Sequence, residues 1–183
     1  MGTMVRPPRT GMEAFKRMPE GTFCQLINDV LIMSPAPLIN HAKVQNEIFY
    51  ILLDFLKKNN IGEVFCAPVD VYLNKKNAFQ PDILFISNTR KDIIKENGVY
   101  GPPDLVIEIL SKGTRKTDLI KKKTVYETTG VKEYWVADHA TKWCEGFILE
   151  NGLYKSLGEG NSRFTIKMFN LTISFSNNIK GYN

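Results

Sequence analysis

Six residues near the middle of the chain, Leu105-Val106-Ile107-Glu108-Ile109-Leu110, constrain its fold more than any others. Strand alternation puts Val106, Glu108 and Leu110 on one face with Asp104, and Leu105, Ile107 and Ile109 on the other. A strand that is aliphatic on both faces belongs inside a sheet with a layer packed on each side. Glu108 is the exception. A buried carboxylate without a partner is strongly destabilising, or else it takes up a proton. A solvated edge strand would accommodate Glu108 without consequence, but the five aliphatic neighbours favour burial and hence a partner.

The segments around this strand suggest the architecture. A helix is expected from Lys116 to Thr129, ended by Gly130, followed by a strand from Glu133 to Ala137. Upstream, Thr10-Gly11-Met12-Glu13 has capping-box form and predicts a short helix ended by Pro19 and Gly21. Residues 23–33 read as two strands around Asn28-Asp29. Val44, Ile48, Ile51, Leu52 and Phe55 mark a helix over 40–58. Strands are expected at 63–73 and 80–87, with a polar turn over 74–77 between them. A short helix or loop follows at 90–97. Segments 143–149 and 153–157 form a hairpin turning at Asn151-Gly152, and 164–175 supplies one or two further strands. The sum is an α/β or α+β domain with a mixed β-sheet flanked by helices and an added C-terminal β-hairpin region.

Composition excludes some classes. The 183 residues fit a single domain over 1–183, with 1–9 as a flexible tail. No stretch approaches the roughly 18 apolar residues of a membrane span, and Met1 to Thr10 lacks the apolar core of a signal peptide. Cys24, Cys66 and Cys144 are odd in number and show no metal-binding spacing, which suits reduced thiols in the cytoplasm. Neither His41 nor His139 stands in a context that pairs it with a thiol. The net charge of +5 suits a polyanionic partner, and equally an ordinary basic protein. Location is more telling: Arg115, Lys116, Lys121, Lys122 and Lys123 fall within nine residues, directly after the Glu108 strand.

Three residues break their local pattern in a way that suggests chemistry. Asp82 leads the apolar strand Ile83-Leu84-Phe85-Ile86 and would otherwise simply mark a strand end. Glu108 is the second. Lys122 is the third, because helical spacing puts it on one stripe with Asp118, Val125, Tyr126 and Thr129. Lys122 could snorkel, or pair only with Asp118. Two carboxylates on neighbouring strands can also bind Mg²⁺ through oxygen, with Mn²⁺ as a substitute. A lysine beside them could orient an attacking water or stabilise charge on phosphorus. Arg115, Lys116 and Lys121 would contact phosphates. Asp70, Asp104 and His41 have capping, packing or strand-end readings beside an approach to the metal or substrate. Tyr126, Tyr134 and Trp135 read as core, with Tyr126 facing the site. Trp143 and Phe147 are candidates for a dimer surface.

The ordered set of landmarks resembles the PD-(D/E)XK nuclease superfamily, and within it the bacterial restriction-endonuclease-like family of Uma type. The landmarks are Thr10-x-x-Glu13-x-Phe15, Ile32-Met33-Ser34-Pro35, His41, Gln80-Pro81-Asp82 and Pro103-Asp104-Leu-Val-Ile-Glu108-Ile-Leu-Ser111. They continue with Asp118-x-x-x-Lys122-x-x-x-Tyr126 and Gly130-Val131-x-Glu133-Tyr134-Trp135. The resemblance implies a restriction-endonuclease-like fold and a Mg²⁺-dependent endonuclease acting on DNA. It also implies Asp82 and Glu108 as metal ligands and catalytic residues, and a homodimer, while His41 keeps its own reading as a capping or packing residue with a substrate contact as the alternative. The superfamily's usual lysine position, two residues after the glutamate, is Leu110 here; the Uma pattern moves that role to the next helix, to Lys122, with Lys123 as the competing residue. The chain has Gln25 where the family often has an acidic residue, and Ser111-Lys112-Gly113-Thr114 after the glutamate strand where Ser-Pro-Ser-Thr is common. An amide at position 25 would weaken metal binding, which leaves a non-catalytic nucleic-acid-binding module on the same fold as the alternative.

Overall fold

In a computed structural model that describes residues 6–111, 113 and 115–176, the Glu108 strand lies inside a sheet. The chain opens with α1 (Gly11–Lys16), whose first turn is capped by Thr10 Oγ1 accepting from the Glu13 amide at 3.1 Å. Glu13 returns the interaction one residue early, to the amide of Arg9 rather than Thr10. Strands β1 (Cys24–Ile27) and β2 (Val30–Met33) form a hairpin. Asn28 and Asp29 both adopt positive φ at its turn, the geometry of a tight hairpin. Helix α2 (Ile39–Asn59) follows, closed by Asn60 in the left-handed region.

The 63–73 segment, expected as one strand, is two: β3 (Gly62–Cys66) and β4 (Val71–Asn74), which belong to different sheets. Pro68 stands at the break, where it cannot donate to a ladder. Next come β5 (Asn77–Phe79), β6 (Ile83–Ser87), a 3₁₀ segment (Asn88–Ile93), β7 (Ile94–Lys95) and β8 (Gly98–Tyr100). The Glu108 strand is β9 (Leu105–Leu110). After it a π-helical segment, Thr117–Lys122, runs directly into α3 (Lys123–Thr129), which ends at Gly130 with φ 95°. The chain finishes with β10 (Glu133–Asp138), the hairpin β11 (Trp143–Glu150) and β12 (Leu153–Asn161), and the hairpin β13 (Arg163–Ile166) and β14 (Leu171–Ser174).

Among the described residues the strands form two six-stranded sheets, in the orders β2-β1-β5-β4-β8-β7 and β12-β11-β10-β9-β6-β3, with β13-β14 as a separate pair. The expected fold class stands; what periodicity did not separate is the second, smaller-stranded sheet. In the larger sheet β9 pairs antiparallel with β6 and parallel with β10. Its two faces behave as alternation requires. Leu105, Ile107 and Ile109 pack with Val44, Ile48, Leu52 and Leu56 of α2 and with Phe164, Ile166 and Ile173 of the last hairpin. Val106 and Leu110 pack on the other side, with Val125 and Tyr126 of α3 and with Ile27, Val71 and Phe79 of the other sheet. Glu108 shares this second face, between the two sheets.

No helix among the described residues is long and apolar enough to cross a membrane.

Candidate active site

Glu108 is 2% exposed and its partners come from the helix beyond β9. Its Oε1 accepts from Lys122 Nζ at 2.9 Å and from the Tyr126 hydroxyl at 2.7 Å. Lys122 Nζ also lies 3.0 Å from Asp118 Oδ1, close enough for an ion pair but off the angle of a hydrogen bond. The side chains of Glu108, Lys122 and Asp118 are each 3–4% exposed. Lys122 and Tyr126 reach the same oxygen because they are one turn apart on the buried stripe that the sequence spacing predicted. The π-helical turn that precedes them leaves the Asp118 carbonyl accepting from the Lys123 amide and, at 3.1 Å, from the Tyr134 hydroxyl. Such widened turns recur at functional sites.

Burial pushes the Glu108 carboxyl up to about 7; Lys122 opposes that shift, and the negative charges of Asp118 and Asp82 add to it. For Lys122, burial works to lower the ammonium, but Asp118, Glu108 and Asp82 outweigh it and the net direction is up. Burial, then the Glu108 charge, raises the Tyr126 hydroxyl well above its ordinary value, so it remains a donor.

Asp82 immediately precedes β6. The β6–β9 register Ile83↔Ile107 and Leu84↔Val106, carried one residue on, sets Asp82 opposite Glu108. Residues opposite one another in an antiparallel pair project to the same face. Asp82 Oδ2 accepts from the Ile109 amide at 2.6 Å, which locks the carboxylate across the end of the ladder. Helix α2 supplies two more contacts: His41 Nε2 lies 3.3 Å from Asp82 Oδ2, and Gln45 Nε2 donates to the Asp82 carbonyl at 2.8 Å. Burial works against the His41 cation, yet the hydrogen bond and charge of Asp82, with Glu108 behind, raise its pKa overall.

The structure thus brings Asp82, Glu108, Lys122 and His41 together. It adds Asp118, Tyr126 and Gln45. Gln45 was missed although its signal was present: it stands four residues after His41 on the apolar stripe of α2, where a buried polar pair is unusual.

Comparison with known proteins fixes the lineage. A family described as "Putative restriction endonuclease", Uma2, matches residues 12–174. The chain belongs to the Uma2 family. A crystal structure of "a putative nuclease belonging to DUF820" from Anabaena variabilis ATCC 29413 shares the fold, with a TM-score of 0.74 at 20% identity. That likeness covers 91% of this chain and 95% of the other. No curated protein matches the sequence.

Other candidates in this Uma2 chain lie elsewhere or have other partners. Lys123 sits with Nζ 3.6 Å from the centroid of the Phe147 ring, not on the carboxylates. Asp70 faces away from Glu108: it accepts from Gln80 Nε2 at 2.9 Å and from the Tyr72 hydroxyl at 3.3 Å, behind the smaller-stranded sheet. Asp104 is a structural acceptor for the Ser87 amide, Arg90 and Lys132. Four residues from Glu108, it is about 13 Å away along the strand. Arg115 pairs with Asp138 at 2.5 Å and lies over the Trp143 ring. Lys116 and Lys121 are exposed and have no ion-pair partner among the described residues. Phe147 is 4% exposed and belongs to the core, so it offers no dimer surface; Trp143 donates to Glu159. Gln25 lies next to Phe79 across the β1–β5 ladder, and the Phe79 ring is 6.0 Å from Lys122 Nζ. Its Oε1 is buried with no hydrogen-bond partner among the described residues. Lys112 and Thr114 of the loop after β9 lie outside the described residues.

Proposed function

We propose that the protein is a Mg²⁺-dependent endonuclease that hydrolyses phosphodiester bonds in DNA, with Asp82, Glu108 and Lys122 as catalytic residues. One observation carries this reading. Two buried carboxylates, Glu108 and Asp118, hold the Lys122 ammonium, and a third, Asp82, stands opposite Glu108 across the β6–β9 ladder with His41 beside it. Buried charges are tolerated when they are paired or coordinate metals.

The residues present fit such a cation. The donors are hard oxygens, and Mg²⁺ is held by one or two carboxylates with the remaining positions left to water and substrate phosphate. Among the described residues no three His, Cys, Asp or Glu side chains are grouped so that they could hold a metal ion, so the protein ligands are limited to the carboxylate pair of Asp82 and Glu108. Gln25 Oε1, buried and without a hydrogen-bond partner among the described residues, is an oxygen acceptor on the strand beside Phe79. Asp82 and Glu108 would be the ligands. When bound, Mg²⁺ or Mn²⁺ supplies Lewis-acid stabilisation of charge on the phosphoryl oxygens and acidifies water. The chain's own residues do the rest. His41 and the Ile109 amide orient Asp82, Tyr126 orients Glu108, and Lys122 offers a positive charge beside the attacking water. Arg115, Lys116 and Lys121 hold the DNA backbone, and a homodimer would present two sites to the two strands.

The test is cleavage of plasmid and oligonucleotide DNA with Mg²⁺ or Mn²⁺ by wild type, Asp82→Ala and Glu108→Ala. Cleavage by wild type that both substitutions abolish supports the reading. Metal-independent DNA binding without cleavage would replace it with a non-catalytic binding module, which the engagement of Glu108 by Lys122 makes the natural second reading.

A further inference from the structure

Lys122 has two carboxylate partners where one would neutralise it, and the second lies outside the ligand set named above. We infer that Asp118 is a positioning residue: it retains Lys122 inside the site when Glu108 exchanges the lysine for a cation. The inference rests on the metal site proposed for Asp82 and Glu108.

The geometry makes Glu108 Oε1 a contested atom. It accepts from Lys122 at 2.9 Å and from Tyr126 at 2.7 Å, so an incoming cation meets an ammonium already seated on its ligand. Two positive charges cannot share that oxygen at close range in a poorly solvated setting. A cation that takes Oε1 therefore displaces Lys122 from Glu108. A lysine 3% exposed that lost its only partner would be left as an unpaired buried charge, an unfavourable state. Asp118 removes that obstacle. Its Oδ1 is already 3.0 Å from Nζ, off hydrogen-bond angle while Glu108 holds the better bond, so a small rotation of the ammonium completes the transfer. An ammonium has three donors and can make that change without moving its stem.

Asp118 is also held independently of Glu108. Its backbone carbonyl is anchored by the Tyr134 hydroxyl of β10, whereas Glu108 belongs to β9. The two cradles of the lysine are therefore on different supports, and one can be occupied by metal while the other stays put.

The decisive measurement is Mn²⁺ affinity, by calorimetry or electron paramagnetic resonance, on the full chain as wild type, D118N, K122M and D118N/K122M. Without Asp118 the lysine has nowhere to go and competes for Glu108, so D118N weakens Mn²⁺ binding by about tenfold, the low end for outer-shell partners. K122M removes the competitor and tightens binding, and D118N then has a much smaller effect in the K122M background. D118E, which can still pair with the lysine, restores affinity toward wild type. An unchanged affinity in D118N overturns the inference, and so does an equal loss in both backgrounds, the mark of a charge acting only through space. If D118N does not fold, D118S and D118S/K122M take its place: a loss of Mn²⁺ affinity in D118S that shrinks in the K122M background supports the inference, and an unchanged affinity or an equal loss in both backgrounds overturns it. Wild-type protein that binds no Mn²⁺ would remove the proposed metal site together with this inference, whereas binding without the D118N effect removes the inference alone.

Discussion

Tyr126 shows how much of the site depends on single atoms. Its hydroxyl donates to Glu108 and is fully buried, so Tyr126→Phe deletes a hydrogen bond to a buried carboxylate without changing the ring packing against Phe79. Hydrogen bonds to charged groups contribute roughly 1.5–3 kcal/mol, and a loss of that size is expected in urea unfolding at neutral pH. Asp104 gives the pH dependence. Burial works to raise its carboxyl, but Lys132, the Ser87 amide and Arg90 together hold it below the ordinary aspartate value. A folded-state pKa below the unfolded one stabilises the fold at neutral pH, and that contribution fades as pH falls through the folded value. Urea midpoints from about pH 6 down to pH 3 should therefore fall more steeply for wild type than for Asp104→Asn, with Asp104→Asn the less stable protein at pH 6. At this scale the sequence was partly legible. Asp82, Glu108 and Lys122 stood out because each violates a local pattern. Asp70 and Asp104 looked equally available, and only the ladder registers reveal that one faces the back of a sheet and the other sits a strand's length away.

The elements explain why these atoms meet. Periodicity located α2, β9 and β10 to within a residue or two, because each has a buried face set by long-range packing and a clear stop: Asn60, Leu110 and Asp138. The hairpins were legible from their turns, Asn28-Asp29 and Asn151-Gly152, each with both residues at positive φ. Gly152→Ala should destabilise the second hairpin by about 1 kcal/mol, readable as a lower melting temperature. The π-helical turn was not legible, since its residues fit an α-helical stripe equally well. Nor was the tie between β10 and the last hairpin. Glu133, 1% exposed, accepts from Trp135 Nε1 at 2.8 Å, from the Lys167 amide at 2.7 Å and from the Met168 amide at 2.9 Å. Removing it strands three donors, two of them in the loop that joins β13 and β14. Glu133→Ala is expected to lower stability by about 3 kcal/mol or more and to open the 163–174 hairpin to limited proteolysis, with new fragments cut near Lys167.

At the scale of the whole molecule, charge is the readable quantity. A net charge of +5 says little by itself, and the exposed lysines beside the site say more. If Lys116 and Lys121 each contact a phosphate, replacing both with glutamine weakens binding to duplexes of any sequence and lowers the salt slope of the affinity by about 2. Fluorescence anisotropy across a salt series measures both effects. An unchanged slope would move the DNA-binding surface off this helix. The overall architecture was legible as a class because strand-helix-strand order and covered faces leave few alternatives. The split into two sheets was not, because it depends on which edges pair, and pairing partners far apart in the chain leave no local trace.

Among the described residues, one pairing in the sheet that carries Glu108 is parallel, and it has a topological consequence. Joining β9 to β10 in parallel brings Leu105 beside Glu133, a separation of 133 − 105 = 28 residues, and the intervening chain carries Asp118, Lys122 and Tyr126. An antiparallel neighbour could close through a short turn, but this pair cannot form until the whole crossover has been laid down. Closing that crossover costs chain entropy, and the same crossover carries the lysine that pairs with Glu108. The parallel pair and the helix that neutralises its buried carboxylate are thus built from one continuous stretch of chain.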